Sequence, residues 1–299
     1  MRVLLAPSEV PTGYPKYWEK LQFPLLGSPK LDGIRGVIGP DNRVMSRTWK
    51  ELPSEQVQEE FNHEPWLDGE FIEGCVTDFN VYNRTNSHVM SADKPGSITF
   101  NLFDYPLPEL REEFYEKRLD ALAKLHNGLD PDMYKLVEQT PLENIEEVLK
   151  FEQEKLDLGY EGVMLRTPWG RYKEGRATIN EGIIYKLKRF LDAEGEVVDF
   201  VERMQNNNEK TTDERGYAKR SSHKDNKVGV GMLGKFKVLW NGKIINVAPG
   251  KFTHDELKEI WNARDFYKGK LLKFRIFAHG VKDDPRHARA IGWRDKIDL

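Results

Sequence analysis

Lys30-Leu31-Asp32-Gly33-Ile34-Arg35 sets an amine, a carboxylate and a guanidinium within one short window. An amine so placed is a candidate nucleophile toward phosphorus, provided that nearby cations or burial lower its pKa and leave part of it deprotonated. Four fixed residue types in such a window arise by chance in about 0.3% of chains of this length, so an ordinary surface turn is an equal reading of the match alone. Further along, Lys186 and Lys188 are separated by one residue. In a strand both would project to one face, because the side-chain period is two.

The elements that must position these groups follow from the pattern around them. PLLGSP, GIRGVIG and RVMSR, within residues 24–47, read as short strands, with turn residues at Gly39-Pro40-Asp41-Asn42. Lys30 therefore falls at a strand end. Extended segments are also expected at Ile98–Asp104, Gly162–Thr167 and Gly182–Leu187, and helices near 109–126 and 142–158. In the second helix Leu142, Ile145, Val148, Leu149 and Leu156 recur at helical spacing. After Phe190 strands dominate: EVVDFVERM, KFKVLW, KIINVA, KLLKFRIFAH and a last one near Arg289–Trp293. Asn241-Gly242 is a hairpin signal, and Thr253 to Glu256 a capping box ahead of a helix whose apolar face is Leu257, Ile260 and Trp261. The polar stretch from Met204 to Gly231 is too long for an ordinary connection in a small barrel. The fold class expected is α+β at 1–190, followed by a five-strand OB-type barrel at 191–299 with an insertion at about 204–231.

With 299 residues the chain has length for two domains. Its first residues lack the apolar run of a signal peptide and no later stretch would span a membrane, so a soluble intracellular protein is expected, in a cytoplasmic or nuclear compartment. Cys75 is the single cysteine, which excludes an internal disulfide and a four-cysteine zinc site and agrees with a reducing compartment. The net charge of −3 hides an asymmetry, with 15 acidic against 7 basic residues from Glu109 to Glu161 but 11 basic against 4 acidic from Arg203 to Lys251. A nucleic-acid surface would be sought first in the C-terminal part.

The lysine window resembles the KxDGxR element of the covalent nucleotidyltransferases, the superfamily of DNA ligases, RNA ligases and mRNA capping enzymes. Its other elements follow in order: Ser46-Arg47, Leu67-Asp68-Gly69-Glu70, Leu102-Phe103-Asp104, EGVMLR from Glu161 to Arg166, and Tyr185-Lys186-Leu187-Lys188. Tyr172-Lys173-Glu174-Gly175-Arg176 also looks like ligase sequence. Capping enzymes carry a shorter, aspartate-led fourth element, so EGVMLR favours the ATP-dependent DNA ligases. RNA capping or RNA ligation on the same scaffold is the alternative enzyme reading, and a non-catalytic nucleic-acid-binding protein the alternative class. NAD-dependent ligases add a cysteine-rich module and a nicotinamide domain, for which one cysteine and the 29 residues before Lys30 leave no room. In the C-terminal half, RGYAKRSSHKDNKVGVGMLGKFKV, KGKLLKFRIFA and DDPRHARAIGWRDKID are similar to the OB domain of the minimal chlorella-virus-type DNA ligases.

The resemblance implies ATP as cofactor, Mg²⁺ or Mn²⁺ as metal, and nicked duplex DNA as partner of a monomeric enzyme. AMP would be carried on Lys30, in a pocket reached also by Pro29 and Arg35. Phe103 would stack on the purine, worth about 1–3 kcal/mol in comparable sites. Glu70 would accept from the ribose, Glu161 and Glu70 would face the metal, and Lys186 and Lys188 would approach the α-phosphate. Arg47 and Arg176, with Arg35 nearby, would hold the 5′-phosphate of the nick, while Asp32 would orient the lysine or the 3′ end. Arg294 and Asp298, with Lys296 between them, stand where the family orients pyrophosphate. The 204–231 insertion would encircle the duplex, with Arg215, Lys219, Arg220, Lys224 and Lys227 contacting phosphates.

Overall fold

The computed structural model describes residues 2–7, 19–212, 218–221, 226–277 and 285–294, in two compact units, Met1–Arg189 and Phe190–Leu299. The first unit carries, in chain order, β1 (Leu25–Pro29), β2 (Ile34–Ile38), β3 (Val44–Ser46), α1 (Glu55–Glu60), β4 (Asp68–Glu73), α2 (Val81–Val89) and β5 (Ile98–Asp104). It continues with α3 (Tyr115–His126), β6 (Tyr134–Leu136), β7 (Thr140–Leu142), α4 (Ile145–Asp157), β8 (Val163–Arg166) and β9 (Ile184–Leu187). These strands form two sheets, β7-β1-β8-β9 and β3-β2-β4-β5-β6, antiparallel except where β5 runs beside β6.

Each sheet buries its own apolar cluster. Behind the five-stranded sheet, Phe71 stacks on Phe100 at 4.2 Å between centroids, with Phe61 edge-on to both. Each such ring contributes about 1.5–3 kcal/mol by leaving water. Behind the other sheet Leu25, Val163, Leu165 and Leu187 meet Val148 and Phe151 of α4. That helix departs from the sequence expectation. Asn144 caps it by accepting from the Glu147 amide at 2.9 Å, so it starts at Ile145, and Leu142 instead lies in β7 opposite Leu25. With the cap fixed there, the inward face is Val148, Phe151 and Glu152, and Leu149 is 41% exposed.

The second unit carries β10 (Leu191–Asn206), β11 (Lys210–Thr212), β12 (Ala218–Arg220), β13 (Lys227–Trp240), β14 (Lys243–Val247), α5 (His254–Asn262), α6 (Arg264–Tyr267), β15 (Leu271–Phe277) and β16 (Arg286–Arg294). Its sheet runs β14-β13-β10-β15-β16, and among the described residues its edges meet at the bridge between Ala248 and Arg289, in an OB-type barrel that is partly open. Gly250 lies against this seam at φ +66, where a Cβ would stand 1.9 Å from the Ala290 carbonyl. Asn241 and Gly242 both have positive φ and join β13 to β14, as a two-residue hairpin requires. Thr253 and Glu256 form the capping box of α5, which lays Leu257 and Ile260 on Phe236, Val238 and Leu272.

The polar stretch after Met204 is in large part regular strand. The β10–β13 ladder continues through Met204, Gln205 and Asn206, paired with Gly229, Val228 and Lys227, and β11 pairs with β12 beyond it. The Asn206 and Asn208 side-chain amides both donate to the Ser221 carbonyl, at 3.0 and 2.9 Å. Among the described residues no helix is long and apolar enough to cross a membrane.

Candidate adenylation site

Backbone pairing brings Lys30 to its neighbours. Pro29, the last residue of β1, is paired with Val163 of β8, and the Lys30 amide donates to the Gly162 carbonyl at 2.8 Å. Gly162 adopts φ +153, and a Cβ on it would lie 2.1 Å from the Leu187 carbonyl, so a side chain there would push β9 away. This close packing sets Glu161 between two lysines. Its Oε2 pairs with Lys30 Nζ, and its Oε1 accepts from Lys188 Nζ at 2.7 Å.

The charge state of Lys30 differs from the sequence expectation. Burial pulls its ammonium toward deprotonation, yet Glu161, Glu70 and Asp32 together outweigh burial and raise the pKa above the usual lysine value. The same pairs act on Glu161, where burial is overcome by Lys30 and Lys188 and the pKa falls to about 2. Glu70 goes the other way. Burial lifts it to about 7, with Lys30 and Arg35 only partly offsetting this and Glu161 and Asp32 adding to it. Lys186 is lowered to about 8, by burial first and then by Arg176, Lys188 and Lys30.

The other wall comes from the five-stranded sheet. Gly33 lets the chain turn from Lys30 into β2, because a Cβ there would sit 2.2 Å from the Phe71 carbonyl. Arg35 then faces Glu70 across β2 and β4. Its guanidinium is committed to Asp68, at 2.8 and 2.6 Å, and to the Leu4 carbonyl at 2.7 Å. Phe103 is the extra residue of a bulge in β5, between the pairs Gly69–Leu102 and Asp68–Asp104. The guanidinium carbons of Arg35 and Arg166 stand 5.1 and 5.4 Å from its ring centroid.

Behind Phe103 lies a buried ion cluster. Asp104 accepts from Arg118 Nε at 2.8 Å and from Arg166 Nη1 at 2.5 Å, and the two arginines hold its pKa below the ordinary value against burial. The Tyr115 hydroxyl donates to the Phe103 carbonyl at 2.8 Å. Asp68, Asp104 and Arg166 stand inside the family's short sequence elements, but nothing in those elements marks them as ion-pair partners. Arg118 carries no local signal, because an arginine on an amphipathic helix reads as a solvent-facing residue.

Lys30, Asp32, Arg35, Glu70, Phe103, Glu161, Lys186 and Lys188 are thus one electrostatically coupled group in the first unit. Arg176 joins it through its effect on Lys186, and its Nη1 donates to the Ala6 carbonyl at 2.7 Å. Arg47 is exposed in the turn after β3. In the second unit Arg294 ends β16 and pairs with Glu194 at 3.2 Å, while Lys219, Arg220 and Lys227 lie on β12 and β13. Arg215, Lys224, Lys296 and Asp298 lie outside the described residues. No group of three or more His, Cys, Asp or Glu that could hold a metal ion occurs among the described residues.

A partly buried lysine paired with a carboxylate and coupled to further carboxylates and lysines, on a domain that also carries a bulged aromatic beside Arg35, has the makings of a covalent nucleotidyltransferase. The model of the ATP-dependent DNA ligase domain matches residues 11–188, and the chain belongs to that family. The chlorella virus DNA ligase-adenylate structure is 28% identical with a TM-score of 0.55, over 99% of each chain. A Lig E DNA ligase shares the fold at 20% identity and a TM-score of 0.71, over 98% of this chain and 99% of the other. The ligase of bacteriophage T7, solved with ATP, aligns at 18% identity and a TM-score of 0.50 over 98% of both chains. No curated protein sequence matches significantly. The chain is an ATP-dependent DNA ligase, with a nucleotidyltransferase domain followed by an OB-fold domain.

Proposed function

We propose that this ligase seals nicks in duplex DNA with Lys30 as the residue that carries AMP. The observation that supports this reading is the convergence of Lys30, Glu161 and Lys188 at the adjoining ends of β1, β8 and β9. In the first step the neutral Lys30 amine attacks the α-phosphorus of ATP, a P–N bond forms, and pyrophosphate leaves with the electrons of the broken P–O bond. The proton that Lys30 sheds goes to solvent, since Glu161 with a pKa of about 2 holds a proton too weakly, and Lys186 and Lys188 offset charge on the α-phosphate. Phe103 stacks on the adenine and Glu70 accepts from the ribose. In the second step a 5′-phosphate oxygen displaces Lys30 and takes AMP, with Arg47 and Arg176 holding that phosphate. In the third, the 3′-hydroxyl attacks the activated phosphorus and AMP leaves. Positioning and electrostatics supply most of the acceleration.

Glu161 and Glu70 interact across the site, and carboxylate oxygens suit a hard cation that takes its remaining ligands from phosphate and water. Glu161 and Glu70 would hold Mg²⁺ or Mn²⁺, which would neutralise phosphate charge when bound.

The test is incubation with ATP labelled at the α-phosphate, followed by sealing of a nicked duplex. The intact chain should form an acid-labile protein–AMP adduct and seal the nick, and Lys30→Ala should do neither with ATP. Lys30→Arg should fail as well, since guanidinium stays protonated. An undiminished adduct in Lys30→Ala would remove the assignment.

A further inference from the structure

We infer that residues 2–7, an extended segment bridged to Arg176 at Leu5, act as a positioning strip that aims Arg35 and Arg176 at the 5′-phosphate of the nick. The inference rests on the reading of those arginines as phosphate ligands, and it adds a segment outside the matched span 11–188.

The segment is built into the domain along both of its edges. On one edge the Leu5 amide donates to the Gly175 carbonyl at 2.8 Å, the Ala177 amide donates to the Leu5 carbonyl at 2.8 Å, and the Gly175 amide donates to the Val3 carbonyl at 3.2 Å. In an extended chain, alternate residues turn their backbone groups to opposite edges. Leu4 and Ala6 accordingly present theirs to the other side. The Leu4 carbonyl accepts from Arg35 Nη1 and the Ala6 carbonyl accepts from Arg176 Nη1, both at 2.7 Å. The Leu4 amide donates to the Tyr172 hydroxyl at 3.1 Å, and the Val3 and Leu4 side chains are buried.

The two guanidinium groups come from distant parts of the sequence, one on β2 and one after β8, and this segment is what they share. Each gives one N–H to a neutral carbonyl, which fixes its orientation without cancelling its charge. Arg35 has its charge matched by Asp68, so its part in phosphate binding depends on that fixed geometry. A carbonyl pair two residues apart is a template for spacing two cations, and a shift of the segment would move both together.

The segment can be loosened without touching either arginine. Leu5→Pro removes the N–H that bonds Gly175 and suits extended backbone, and Tyr172→Phe removes the hydroxyl that accepts from Leu4. Three quantities are read on the full-length protein: lysyl-AMP formation with labelled ATP, single-turnover transfer of AMP to a nick, and the affinity for a 5′-phosphate nick relative to a 5′-hydroxyl nick. Leu5→Pro should slow transfer about 10- to 100-fold, the cost of an ångström-scale misplacement. It should also bring the two nick affinities closer together while leaving lysyl-AMP formation near normal. Tyr172→Phe should show the same pattern more weakly. Equal losses in all three readouts, or no loss in transfer, would overturn the inference and leave the segment a plain part of the fold. Arg176→Ala separates the layers. If it keeps the full preference for 5′-phosphate, the phosphate reading itself fails and takes this inference with it. If it loses that preference while both segment variants keep theirs, only the inference fails.

Discussion

The Lys30 amide is hydrogen bonded to the Gly162 carbonyl at 2.8 Å, so this lysine is registered by backbone against the residue that follows Glu161. In this state Lys30 is an ammonium ion paired with a carboxylate, and its amine is withheld until that pair loosens. Glu161→Gln keeps the shape and removes the charge that most strongly favours the ammonium form. Lys30 should then titrate at lower pH. Labelling by an amine-directed reagent without ATP, followed across pH by mass spectrometry, should show the shift. An identical profile in wild type and variant would mean that Glu161 does not set the charge state.

The charge of Lys30 was also the point least legible in the sequence. KLDGIR displays an amine and a carboxylate, but the sign of the pKa shift depends on Glu161 and Glu70, far away in the chain, outweighing burial. What could be read locally was the chemistry carried by short windows. Asn241-Gly242 formed its hairpin and Thr253 to Glu256 its capping box, because both depend on neighbouring residues alone. Phe103 could be read as an aromatic within a short motif, whereas the bulge that turns it and the Arg118 that anchors its neighbour Asp104 could not. The bulge is a property of the β4–β5 register, and Arg118 looks like any helix-surface charge until the helix is packed.

Asp104→Asn should destabilise the protein by about 3–5 kcal/mol at pH 7, since Arg118 and Arg166 would remain buried without their counter-charge. Urea unfolding measures it. The folded-state pKa of Asp104 is depressed, so its contribution is complete above the unfolded value of about 3.9 and is lost as pH falls through the lower folded value. The gap between wild type and variant should therefore narrow only in strong acid. A gap below about 1 kcal/mol at neutral pH would assign the cluster no more weight than a surface pair.

Lys186 is placed to lose its charge within reach of ordinary buffers. With a pKa of about 8 in the ligand-free protein, it is protonated at neutral pH and neutral well above it. Affinity for a non-hydrolysable ATP analogue should accordingly fall as pH rises through about 8. Lys186→Arg keeps its charge across this range and should flatten the fall. A variant that lost affinity with the wild-type pH dependence would show that another group titrates there.

The last prediction concerns the arm that extends from β10 and β13. Its base is a regular ladder ending at Asn206 and Lys227, held beyond by the Asn208 amide on the Ser221 carbonyl. Beyond that base the described residues pair again as β11 with β12. Lys210, Lys219, Arg220 and Lys227 all lie on its strands, and basic residues so spread suit phosphate binding better than base reading. Each DNA phosphate that the protein no longer neutralises should reduce the slope of log affinity against log salt by about 0.9. Replacing Gln205–Val230 by a short Gly/Ser turn cuts just beyond Met204, so the barrel ladder below it is retained. Lysyl-AMP formation should then stay near normal, because every residue assigned above to the α-phosphate lies in the first unit. Nick binding should weaken, with a visibly flatter salt dependence. If the shortened protein bound and sealed nicks with the wild-type salt slope, the arm would not touch DNA, and the phosphates would have to be met by the two domain faces alone.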